Sequence, residues 1–107
     1  MSKMRSILSI GVVLMAASIP NFHAQTPVYK PKDGYVPDAR TAVRVAEAVL
    51  VPIYGAKQIN SEKPLSAKLD GDVWVVTGTL PSGMVGGVAE VKISKQTGEI
   101  VGMIHGK

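Results

Sequence analysis

At residue 65 the apolar residues of this chain change their period. Before it, Ala42, Val45, Ala46, Val49, Leu50 and Ile53 recur at steps of three and four. That spacing lays one apolar stripe along a helix. After it, Leu65, Ala67 and Leu69 alternate with Ser66 and Lys68, and Ala89, Val91 and Ile93 alternate with Glu90 and Lys92. A step of two is the pattern of a strand with one wet face. A helix followed only by strands buries both apolar surfaces when the helix lies across one face of an antiparallel sheet.

Punctuation residues set the boundaries. Asp38, after Pro37, is placed to cap a helix over 38–51. Pro52 lacks the N–H and ends or kinks that helix, with room for one more turn at Ile53-Tyr54 before Gly55. Residues 56–63 (AKQINSEK) read as a polar connection. Asp70-Gly71-Asp72 is a hairpin turn. Val73 to Leu80 is the strongest strand signal and starts apolar on both faces, so it belongs at the centre of the sheet. Trp74 and Tyr54 are expected in the core. Pro81 to Gly87 leads to a strand over 88–94, Lys95 to Gly98 turns the chain, and Glu99 to His105 is the last strand. The expected fold is α+β: one main helix packed on a four-stranded antiparallel meander sheet.

Residues 1–24 read as a secretory leader. Lys3 and Arg5 precede a largely apolar run over 7–19, Pro20 breaks it, and Ala24 is a small residue at which cleavage fits; Ser18 is a second candidate. The apolar run is shorter than the ~20 residues a bilayer crossing needs, which favours a cleaved leader over the competing reading of an uncleaved anchor. With no Cys in the chain, a lipoprotein anchor, disulfides and thiolate metal sites are all excluded. Residues 25–37 hold three Pro and the Asp33-Gly34 turn and read as an extended linker. The exported domain is then 38–107. The leader carries two cations and no acid, so its removal takes the formal charge from +4 to about +2. Without a Lys/Arg run, that is no nucleic-acid footprint. A small exported domain without disulfides depends wholly on its apolar core.

Few residues offer chemistry. His105 is the only His after the leader, and one His near the chain's end makes neither a metal site nor a nucleophile–base pair. Asp70 and Asp72 are too few for a calcium loop and are read as turn formers. Glu90 and Glu99 fall on neighbouring strands, where they approach each other or Lys92, and wet-face charge pairing accounts for them. Gly78 to Gly83 has the glycine spacing of a phosphate loop, but Met84-Val85 stand where Lys and Ser/Thr are required, and a strand follows rather than a helix. No catalytic residue, cofactor or metal is expected.

Several ordered pieces carry a resemblance. They are Tyr35-Val36-Pro37-Asp38; Thr41-Ala42 with Ala46 to Gly55; Val73-Trp74; Gly78-Thr79-Leu80-Pro81; Gly86-Gly87-Val88; and the ending His105-Gly106-Lys107. Together they resemble the NTF2 fold immunity proteins of bacterial polymorphic toxin systems. The resemblance implies a cystatin-like or NTF2-like unit that binds and neutralises a cognate toxin, and it brings no catalytic residues. A leader implies a toxin acting in the cell envelope. Occlusion by a surface calls for a few anchors within a polar rim. The candidates are Met84 and Val85 at the Gly-rich turn, Lys68 on a sheet face, and His105 and Lys107 at the end. A periplasmic inhibitor or propeptide-like domain for an endogenous protease is the competing reading. A small-molecule carrier or hydrolase would need a closed pocket holding Glu90 or Tyr54.

Overall fold

A computed structural model describes residues 27–106. The proposed leader and Lys107 lie outside the described residues. Helix α1 spans Ala39–Tyr54 and a short helix α2 spans Ala56–Ser61. Four strands follow: β1 (Ser66–Asp70), β2 (Val73–Thr77), β3 (Ala89–Ser94) and β4 (Ile100–His105). They form one antiparallel sheet in the order β1-β2-β3-β4, the expected meander with β2 in the interior.

Helix α1 begins as its sequence predicts. The Asp38 carboxylate accepts the Thr41 N–H at 2.8 Å, which satisfies one of the free donors of the first turn. Ala42, Ala46 and Leu50 form the buried line of the stripe. Pro52 does not end the helix. It sits in the last turn, and the helix runs on to Tyr54, where the Gly55 N–H closes it on the Val51 carbonyl. Ile53 is exposed nonetheless and Tyr54 packs against the core, so the stripe loses its last expected member.

Residues 56–61 are helical, contrary to their expected role as a polar connection. Gly55 caps α2 with no side-chain bond, so the usual start signal is absent from the sequence. The helix is needed because it drives Ile59 into the core and sets Glu62 behind it.

The inner face of the sheet carries Trp74 and Val76 on β2 against Ile93 and Val91 on β3. Met103 and Ile100 of β4 complete it, and a bulge between Lys92 and Ile93 leaves Val101 without an opposite residue. Small Ala42 and Ala46 let the helix approach this branched layer closely, and Leu50, Ile59 and Leu65 fill the space toward α2. The outer face carries Lys68, Val75 and Lys92 in one row, with Glu90 and Ile104 in the next. That face lies outside the core cluster, and among the described residues no helix is long and apolar enough to cross a membrane.

The segment before the helix is tied down at its end. Tyr35 and Val36 donate their N–H groups to the carbonyls of Gln96 and Lys95, and Val36 is buried. The Trp74 indole N–H donates to the Val36 carbonyl at 2.8 Å. The packed unit therefore starts before the helix cap, at the last residues of the proposed linker.

Candidate functional site

Where α2 ends, three strand ends and the loop over 78–88 converge on one carboxylate. Glu62 is 2% exposed. Its Oε1 accepts the Ala89 N–H at 2.7 Å. Its Oε2 accepts from Gln58 Nε2 at 2.8 Å and from His105 Nε2 at 2.8 Å. The Glu62 carbonyl takes the Thr79 N–H at 2.7 Å, and Thr79 Oγ1 donates to the Pro64 carbonyl at 2.7 Å. One residue thus joins α2, β3, β4 and the start of the loop.

Two glycines make room for this. A Cβ on Gly78 would stand 2.8 Å from Glu62 Oε1, inside contact distance. A Cβ on Gly87 would overlap the backbone of Gly106. The glycines flanking the loop therefore serve close approach.

Burial works against the Glu62 charge, yet donors from Gln58, the Ala89 amide and His105 outweigh it and hold the carboxyl below its ordinary value. His105 shifts the other way. Its bond to Glu62 and its bond to the Gly106 carbonyl raise it, against the smaller effect of burial. His105 Nδ1 lies 2.8 Å from that carbonyl, and both ring partners are acceptors only. Both contacts are made as hydrogen bonds only when both nitrogens carry protons, so the geometry favours the imidazolium form. The Tyr54 ring stacks beside it, tilted 46° with centroids 5.0 Å apart.

In that form the ring's two nitrogens are both engaged as donors and tie β4 to α2. This cluster is a clamp. Among the described residues no group of three or more His, Asp or Glu could hold a metal ion. Glu90 lines a shallow depression of about 130 Å³ on the outer face, while Tyr54 belongs to the helix layer, so they share no chamber. Glu90 and Glu99 are also apart: Glu90 stands opposite Ile104, whereas the Glu99 carbonyl bonds Ser94 at the other end of the hairpin.

What the clamp holds is the loop. Leu80, Met84 and Val85 are exposed on it, Val85 to 94%. His105 stands at the same end of the sheet as the loop's roots, through the Gly87–Gly106 contact. Lys68 lies elsewhere, on the outer face of β1 opposite Val75. The sequence candidates thus separate into a loop tip, a half-buried clamp residue and a distant sheet-face cation.

The central residue, Glu62, was not foreseen from the sequence. It lies in a polar run and looks like any solvated glutamate. The available signal was indirect: glycines 78, 87 and 106 fall at strand ends, where isolated glycines mark close approach.

A family model described as NTF2 fold immunity protein matches residues 41–107. No curated protein and no solved structure matches the chain.

Proposed function

The chain belongs to the NTF2 fold immunity protein family, and from that premise we propose that it neutralises a cognate bacterial toxin by steric occlusion in the cell envelope. The observation that carries this reading is the loop. It presents Met84 and Val85 to solvent on a support fixed by a buried charge network. Exposed apolar side chains on a rigid base lose little freedom on binding, and that is where interface energy concentrates. Lys68, His105 and Lys107 are the further candidate contacts. His105 acts chiefly by holding the loop's roots. The apolar run of residues 7–19 behind Lys3 and Arg5 supports export, and hence a toxin acting on wall or membrane rather than on cytoplasmic nucleic acid.

The test is protection of cells that express the toxin encoded beside this chain's gene. Met84→Ala with Val85→Ser should abolish protection while the melting temperature of the purified protein is unchanged. Full protection by that variant would remove the loop from the interface. Inhibition of a peptidase with no effect on any toxin would favour the propeptide-like alternative. Cell fractionation tests the envelope assignment directly.

A further inference from the structure

The two edges of the sheet are guarded unequally. β1 carries Lys68 and Asp70, and α1 packs closely along it. Charges and a covering helix are the usual protections of an edge strand. β4 reads Ile-Val-Gly-Met-Ile-His, with no Pro and no Lys, Arg, Asp or Glu. Its outer edge is bonded to nothing among the described residues.

The backbone polarity of that edge follows from the register. The Gly106 N–H donates to the Val88 carbonyl, so the bonded pairs of the β3–β4 ladder fall at Ile104 opposite Glu90 and Gly102 opposite Lys92. Met103 and His105 therefore turn their N–H and C=O groups away from β3. On the outer face, Gly102 leaves a notch in which a Cβ would meet no atom within 4 Å. Two residues on, Ile104 stands 61% exposed. A knob and a hole thus lie on one face of one strand, symmetrically about Met103.

We propose that β4 pairs with β4 of a second copy, antiparallel about a two-fold axis at Met103, to give a continuous eight-stranded sheet. Met103 faces Met103 of the partner and the two exchange both backbone bonds. Ile104 of each copy then fills the notch over Gly102 of the other. In each such row Glu90 lies behind Ile104 and the other copy's Lys92 behind Gly102, so opposite charges flank the seam. A register centred on Ile104 would put Glu90 on both sides of the seam and leave both notches empty. The dimer covers the unguarded edge and uses no residue of the loop over 78–88, so it does not rest on toxin binding.

Sedimentation of the full-length protein across about 1 to 300 μM tests it. The expected result is a mass that doubles over that range. Gly102→Glu puts a charge into the notch opposite Ile104 of the partner, at a position where a Cβ meets no atom of its own chain within 4 Å, and Ile104→Lys places a charge on the edge. Both should stay monomeric with the circular dichroism of the parent. Because the chain has no cysteine, Met103→Cys reports the register. Bonded antiparallel pairs hold Cα atoms about 5.5 Å apart, within disulfide range. Copper-catalysed air oxidation should therefore link it into a covalent dimer, and Lys68→Cys should remain single. The proposal is overturned by a wild-type protein that stays monomeric throughout. It is equally overturned by dimerisation that survives both edge substitutions, or by an edge taken up only by a strand of a different protein.

Discussion

The two ends of the sheet are closed by opposite chemistry. At the far end, Trp74 lies over the core and its indole N–H reaches Val36, whose own N–H is held by the Lys95 carbonyl. That closure is apolar area with hydrogen bonds to backbone carbonyls and no buried charge among the described residues. At the near end, Glu62, Gln58, His105 and the Ala89 amide close the sheet with a buried charge. Large aromatic surface suffices where the chain only has to stay shut. Where a glycine-rich loop must leave and return through a narrow gap, directional bonds fix its roots in a way that apolar contact does not.

Substitutions at each end test the contrast. Trp74→Ala should cost the most, about 4 kcal/mol in chemical denaturation, and about equally at every pH between 5 and 8. A marked pH dependence of that loss would show that the ends are coupled. Glu62→Ala should cost about 3 kcal/mol, because it strands the Ala89 N–H and removes the counter-charge of His105. A loss below about 1 kcal/mol would mean that water replaces the carboxylate and the end is not sealed.

His105 gives the near end a pH signature. Its raised value means its stabilisation is complete below about pH 6.5 and is lost as pH rises through the folded-state value. Glu62, lowered, contributes above about pH 4.5 and loses its effect as pH falls through its own folded-state value. The clamp is therefore strongest between those limits. His105→Gln should cost about 1.5 kcal/mol at pH 6 and flatten the decline toward pH 8. An unchanged alkaline decline would assign the titration to another group. Val85→Ser should be the smallest change, within about 0.5 kcal/mol, since its side chain is almost wholly in solvent. A larger loss would mean that the tip packs against something in solution.

Local periodicity and punctuation were enough for the stripe of α1 short of Ile53, the Asp38 cap and the four strands in their meander order. These depend on neighbours one to four residues away, and a repeating local pattern records them in the sequence. Tertiary packing alone decided the helical state of residues 56–61, the burial of Glu62, the inward turn of His105 and the docking of Val36. Each depends on a contact between residues far apart in the chain: Glu62 lies 43 positions from His105, and Trp74 38 from Val36. A polar residue has no period of its own. Whether it faces water or closes a core is fixed only when the rest of the chain has arrived around it.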